Sequence, residues 1–381
     1  MYNITIGTVN RTMRVLVNDL QAGDILQHDV FNQHGVHVLS AGTVLRERDI
    51  GILIGHLIDD IDIIASTPYN SPQEQQTHTP TTRDAQLNST HSISSSSNDI
   101  NSYEKLFPYY QDAVKSTNLL FHYALTNGRL VQEAVDLTIT PLLEQFQQER
   151  DVVSLLLRLN SQDDYTCQHS VQVGMLSYYL ATWLGHTKED ALRIGKAGYL
   201  HDIGKCQVDR EILNKPAPLT QEEYEQMKLH PLAGYQIIRS TYDDKWIAIA
   251  ALQHHERTDG SGYPEGLTSE NIHMVAKIVS VADVYSAMIS CRTYQDKKDL
   301  LIVLKQMYQL SFSKLDPVIT HTFIRYMLPN FLHKRVKLTD GRDGIIVMNH
   351  ATDFFRPLIR VGQEFIDLTV NRDLDIDYVY A

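Results

Sequence analysis

The stretch from residue 67 to residue 100 constrains this chain more than any other feature. It is dense in Ser, Thr, Asn, Gln and Pro and ends in Ser94-Ser95-Ser96-Ser97. A segment of that composition cannot bury enough apolar surface to offset the entropy lost on ordering, so it reads as a flexible linker. The 381 residues allow two or three domains. They divide into a short N-terminal module and a much longer C-terminal body.

Residues 11 to 66 read as a small β-containing module. Val15-Leu16-Val17 is a strand candidate, Asn32-Gln33-His34-Gly35 a turn between apolar runs, and Gly42 a bend. Arg46 to Ile61 carries helical periodicity. After the linker, residues 101 to 160 form a helical lead-in, periodic from Tyr103 to Leu159, and residues 161 to 330 a mostly helical domain. Thr187 with Asp190 and Thr220 with Glu223 have capping-box spacing, and Pro231 suits the first turn of a helix. Residues 331 to 381 revert to a small β module, with Val336-Lys337-Leu338, Ile345 to Met348 and Leu358 to Val361 as strands. The expected fold class is mainly α with small β-containing modules at the N- and C-terminal ends.

Charge and cysteine usage exclude several functions. A formal net charge of −12 opposes general DNA or RNA binding, which needs a basic footprint. The apolar stretch Ile50 to Ile64 is broken by His56, Asp59, Asp60 and Asp62, so it cannot span a bilayer. No signal-peptide pattern opens the chain, and membrane insertion is not expected. Cys167, Cys206 and Cys291 are odd in number and widely spaced, which fits a reducing cytoplasm rather than a disulfide framework. The amphipathic stretch 101 to 160 offers a homodimer contact.

Histidine is the unusual residue, with 17 copies, and the informative ones fall between 169 and 255. His201 and Asp202 follow an apolar helix and precede Gly204, so a nitrogen and a carboxylate can face one ion. The carboxylate has two oxygens and can serve two ions. Lys205 lies one turn further on the same face. His169 shares a face with Val173, Leu176 and Leu180; His230 precedes Pro231; His254 and His255 close a helix that begins near Trp246. Asp283 interrupts the apolar run Ile278 to Val284, where an unpaired carboxylate is costly. Each of these alone is ordinary. Together they give five imidazoles and two carboxylates, too many for one tetrahedral ion and suited to two adjacent ones. Such ligands take Fe, Mn, Zn or Ni, and two metals close together clamp an in-line displacement at phosphorus, with a hydroxide between them as nucleophile. The loop Asp259-Gly260-Ser261-Gly262-Tyr263-Pro264 follows directly and sits at the rim of such a site.

These residues resemble the HD-GYP family of the HD superfamily of metal-dependent phosphohydrolases. The match runs from about Asp164 to Tyr294. It includes His169-Ser170, His201-Asp202-Ile203-Gly204-Lys205, Ile212 to Pro216, His230-Pro231, His254-His255-Glu256-Arg257, Gly262-Tyr263-Pro264, Asp283, and Arg292 with Tyr294. The resemblance implies an HD-type helical domain that hydrolyses the bacterial second messenger cyclic di-GMP to pGpG, GMP or both. It implies two divalent transition-metal ions, Fe or Mn before Zn or Ni. One would be held by His169, His201, Asp202 and Asp283, the other by Asp202, His230, His254 and His255. Asp202 would bridge, and Lys205 would lie at the scissile phosphate as charge stabiliser or proton donor. Tyr263, Arg257 and Arg292 would contact the ligand, and the Gly262-Tyr263-Pro264 loop could dock a diguanylate cyclase. The chain departs from the family at Tyr165, where some relatives carry a Glu that supports a third metal. It departs also at Ser286, usually Asp, and at Thr293 and Gln295, usually Pro and a basic residue. Two other readings fit the same residues: a phosphodiesterase for 3′,3′-cyclic GMP-AMP, and a non-catalytic cyclic di-GMP sensor.

Overall fold

The computed structural model describes residues 12–32, 37–64, 97–146, 165–289, 300–350 and 353–380, with side chains from 106 and 166 onward in the helices that open at 97 and 165. Residues 67–96 of the expected linker and 147–160 of the lead-in fall outside the described residues.

The N-terminal part builds strands β1 (Thr12–Leu16), β2 (Ile25–Leu26), β3 (Val30–Phe31), β4 (His37–Leu39) and β5 (Asp60–Ile64) around helix α1 (Glu47–Gly55). β5 lies between β1 and β2, antiparallel to both, and β3 pairs with β4. The helical periodicity read over Arg46 to Ile61 overran its element. The chain leaves α1 at Gly55, Leu57 takes a φ of +58°, and Asp60-Ile61-Asp62-Ile63 alternates half-buried with buried. That period of two is a strand signal, and it wins once the helix is broken.

Helix α2 (Ser97–Asn127) begins inside the segment read as linker, and α3 (Gln132–Phe146) follows it. Ile50, Leu53 and Ile54 of α1 are buried, and Gly51 of α1 lies flush against Val131 and Ala134. The N-terminal part is thereby packed onto α3.

The central body holds α4 (Tyr165–Trp183), α5 (Lys188–Leu200), a 3-10 turn (Ile203–Gln207), α6 (Arg210–Leu213), α7 (Gln221–Met227), α8 (His230–Arg239), α9 (Lys245–Gln253) and α10 (Met274–Ile289). Thr187 caps α5 by accepting from the Asp190 amide, and Thr220 with Glu223 closes a full capping box on α7. α4 is buried on every face from Cys167 to Ala181, as expected of a helix at the centre of a body rather than on its surface. α10 is nearly as enclosed. α11 (Leu300–Leu310) and α12 (Pro317–Met327) complete the helices.

A five-stranded antiparallel sheet ends the chain: β6 (Arg335–Leu338), β7 (Asp343–Met348), β8 (Leu358–Val361), β9 (Glu364–Asp367) and β10 (Ile376–Val379), in the order β10-β6-β7-β8-β9. The three expected strands are β6, β7 and β8. β9 and β10 went unread because Glu364, Asp367 and Asp377 interrupt their apolar positions. No helix among the described residues is long and apolar enough to cross a membrane.

One close approach fixes the body's geometry. A Cβ at Gly204 would overlap the His230 carbonyl oxygen and the Gly234 amide, so only glycine lets the 3-10 turn sit against α8. Gly204→Ala is expected to destabilise the protein by about 1–3 kcal/mol through overpacking, measurable by urea unfolding. An unchanged midpoint would mean that α8 does not rest on this turn.

Candidate metal centre

The seven expected ligands sit at helix ends or within enclosed helices, and five elements deliver them. α4 supplies His169, the end of α5 supplies His201 and Asp202, the start of α8 supplies His230, the end of α9 supplies His254 and His255, and α10 supplies Asp283. Arg193 of α5 holds α9 in place. Its Nε and Nη2 donate to the two carboxylate oxygens of Asp244, the N-cap of α9, at 2.8 and 3.0 Å, and its guanidinium lies 4.1 Å over the Trp246 ring. A two-pronged pair of this kind fixes orientation as well as distance.

The seven side chains fall into two groups whose candidate ligand atoms lie within 4.8 Å of one another: His169, His201 and Asp283 on one side, Asp202, His230, His254 and His255 on the other. Asp202 touches both. Its Oδ2 lies 3.2 Å from His201 Nε2 and 3.8 Å from His169 Nε2, and its Oδ1 lies 3.3 Å from His230 Nε2 and 3.6 Å from His254 Nε2. Asp283 Oδ1 reaches His169 Nε2 at 3.0 Å and His201 Nε2 at 3.8 Å.

Proton bookkeeping tests whether cations fit here. A backbone carbonyl only accepts, so an imidazole nitrogen bonded to one must carry the proton. His201 Nδ1 meets Gly198 O at 2.7 Å, His230 Nδ1 meets Met227 O at 2.7 Å, and His254 Nδ1 meets Ala251 O at 2.9 Å. Each Nε2 of the neutral ring therefore presents a lone pair. His230 Nε2 and His254 Nε2 face each other at 3.3 Å with Asp202 Oδ1 beside both. Three acceptors converge with no proton to share. His201 Nε2 and Asp202 Oδ1 are both buried without a hydrogen bond, a costly arrangement in a protein interior. A cation at each group relieves both problems, so the donor set fits a metal.

The electrostatics agree. Burial lowers the His230, His254 and His255 pKa values, His255 well below the ordinary histidine range, which keeps the rings neutral as metal ligands require. Burial pushes the Asp202 carboxyl up, but the His201 imidazole and the Lys205 ammonium beside it outweigh this and hold the group well below the usual carboxylate range. Asp283 is likewise driven down by His169 and His201 against the effect of burial.

His169 is oriented by a different route. Its Nδ1 lies 3.0 Å from Ser286 Oγ, which donates its own proton to Gln172 Oε1 at 3.1 Å, and Gln172 Nε2 in turn meets Tyr110 OH at 3.2 Å. Ser286 has one proton and spends it on Gln172, so it accepts from His169 Nδ1–H and leaves Nε2 free to ligate. Ser286, a departure from the family pattern, thus fixes the tautomer of a ligand imidazole, a role that sequence reading left open.

Lys205 Nζ lies 2.5 Å from Asp202 Oδ2. Tyr263 stacks on His255 with ring centroids 4.6 Å apart, which places the loop against the second group. The loop itself is held by Glu256, a residue to which sequence reading gave no role. Its buried carboxylate accepts from the Glu265, Gly266 and Leu267 amides at 2.7, 3.1 and 2.8 Å. A Cβ at Gly262 would overlap Glu256 Cα and the His255 carbonyl, so the loop lies directly on the ligand-bearing segment. Arg257, expected at the ligand, commits Nη1 to His254 O, Glu256 O and Ser280 Oγ. Only the rest of its fork faces a ligand role. Arg292, Thr293 and Gln295, and the side chain of Tyr165, lie outside the described residues.

With this geometry in view, comparison with known proteins is informative. Residues 152–319 match the HD domain family, and both His201-Asp202 and the Gly262-Tyr263-Pro264 loop lie within the match. A cyclic di-GMP phosphodiesterase of Pseudomonas aeruginosa is 34% identical over 207 residues, covering 54% of this chain and 50% of that protein. A cyclic di-GMP phosphodiesterase response regulator of Xanthomonas campestris is 35% identical over 183 residues, 47% of this chain and 48% of that protein. A 3′3′-cGAMP-specific phosphodiesterase of Vibrio cholerae is 31% identical over 195 residues, 50% of this chain and 45% of that protein. The chain thus spans about half the length of the curated relatives it matches.

Two outcomes follow. Ser286→Ala is expected to weaken metal binding about 10–100-fold, the usual scale for removing a group that orients a ligand; equal affinity by metal titration would show that the hydroxyl does nothing for His169. Glu256→Ala strands three amides, and hydrogen exchange at Glu265, Gly266 and Leu267 is expected to rise about ten-fold or more. Unchanged exchange would place the loop's support elsewhere.

Proposed function

We propose that this chain is a metal-dependent phosphodiesterase that hydrolyses cyclic di-GMP to pGpG, GMP or both. The observation that carries the reading is the split of Asp202 between two ligand groups, each furnished with neutral imidazoles, beneath a loop of the HD-GYP type. We place two divalent transition metals there, Fe or Mn, one with His169, His201, Asp202 and Asp283 and one with Asp202, His230, His254 and His255. When bound, they supply charge neutralisation at phosphorus and acidify a water.

The chain's own residues do the rest. Lys205 sits beside Asp202 with its ammonium toward the cavity in front of the site. There it stabilises charge developing on the phosphate or hands a proton to the leaving oxygen. Tyr263, held flat on His255, offers a ring and a hydroxyl to the ligand at the rim. Burial, with the neighbouring Tyr224 next in effect, pushes its phenol pKa up, so the hydroxyl remains a donor at neutral pH. Arg292 would neutralise a ligand phosphate. The thiols of Cys167 and Cys206, in no disulfide among the described residues, suit a cytoplasmic enzyme.

A second reading keeps the reaction and changes the substrate to 3′,3′-cyclic GMP-AMP, the substrate class named for the similar Vibrio cholerae protein. Anaerobically purified protein, assayed on both dinucleotides with metal counted on the same sample, separates them. The leading reading expects turnover of cyclic di-GMP with about two metals per chain, and loss of both in the double variant His201→Ala, Asp202→Ala. Turnover of the GMP-AMP form alone favours the second reading, and two bound metals with binding but no turnover favour a sensor.

A further inference from the structure

A cavity of about 180 Å³ opens beside the metal centre, between α2 and the segment that runs from the 3-10 turn through α6. α2 lends it Asn118, Phe121 and His122. The opposite wall is formed by Lys205, Arg210 and Leu213. Lys205 belongs to both places at once, since its ammonium lies 2.5 Å from Asp202 Oδ2. Thr166 and Cys167, one turn ahead of His169 on α4, close the inner end.

Three features define what it takes. Its size is below the roughly 300–1,000 Å³ of sites that enclose a whole drug-sized ligand, so it accepts a part of one. Its charged lining is basic: in a chain of net charge −12, Lys205 and Arg210 face it and no carboxylate of the described residues lines it. Its wall combines the flat ring of Phe121 with the exposed amide of Asn118, which can both donate and accept. A ring for a base to lie on, an amide for its edge and a cation for phosphate are what a nucleotide needs.

We propose that this cavity is the base subsite of the substrate: one purine of the cyclic dinucleotide lies against Phe121 with its edge at Asn118, and Arg210 faces the phosphate that is not cleaved. The inference rests on the proposed function and extends it. Helix α2 lies ahead of residues 152–319 that match the HD domain. The element proposed to read the base therefore lies outside the matched domain.

The test is steady-state kinetics of metal-loaded full-length protein on cyclic di-GMP and on 3′,3′-cyclic GMP-AMP, with bis(p-nitrophenyl) phosphate as a diester without bases. Phe121→Ala is expected to raise KM for both dinucleotides about ten-fold or more, the scale of one lost base stack, with the loss falling mainly on KM. Phe121→Trp is expected to restore it. Asn118→Ala, at an exposed position, is expected to change the ratio of kcat/KM between the two dinucleotides. Metal content and melting temperature, measured on each variant, separate a folding defect from a binding one. If wild type cleaves a cyclic dinucleotide and neither Phe121→Ala nor Asn118→Ala alters KM or the ratio, the subsite is wrong and the proposed function stands. If wild type cleaves bis(p-nitrophenyl) phosphate but no cyclic dinucleotide, the proposed function falls and the subsite with it.

Discussion

Asp202 Oδ1 and the Nε2 lone pairs of His230 and His254 meet in the interior with no proton among them. On the other side of the same carboxylate, Oδ2 faces His201 and His169. Seven polar side chains gathered from five elements would repel one another without cations. The surrounding architecture reads as a set of devices that force this convergence. α4 is buried on every face, which carries His169 to the centre, Gly204 lets α8 approach, and Arg193 ties the start of α9 to α5. Three imidazoles are pinned through Nδ1 to carbonyls of their own helix ends, which aims each Nε2 inward at little entropic cost.

The seven side chains that the fold brings together were legible in the sequence because their signals are local. His201-Asp202 at a helix end, His230 before Pro231, and Asp283 within an apolar run each break the pattern around them. The helix caps at Thr187 and Thr220 were equally plain. What was not legible depends on contacts across long sequence separations. Ser286 looked like a defect until Gln172 and Tyr110, 114 and 62 residues apart from their partners, were seen to complete its hydrogen bonds. Glu256 looked like one residue of a motif, and its three amide partners, nine to eleven residues on, give it a purpose. The α1–β5 boundary was misplaced because Ile50 to Ile64 satisfies helical and alternating patterns in turn, and only the left-handed Leu57 separates them.

Helix α2 joins the parts. Its C-terminal half lines the cavity beside Lys205, while it also packs near α1 and the 3-10 turn Val17–Asp19. The loop that carries Tyr263 is anchored from the opposite side. Thr258 and Asp259 bond to Ser313 and Lys314 in the turn between α11 and α12. The site is thus walled by two elements of different origin, one ahead of the ligand-bearing helices and one after them.

The central claim is that Asp202 divides its two oxygens between two ions. Anomalous diffraction from manganese-loaded crystals tests it directly. The account predicts two peaks roughly 3.5–4 Å apart, one among His169, His201 and Asp283, the other among His230, His254 and His255, with Asp202 between them. A single peak, or two that leave Asp202 on one ion only, would contradict it.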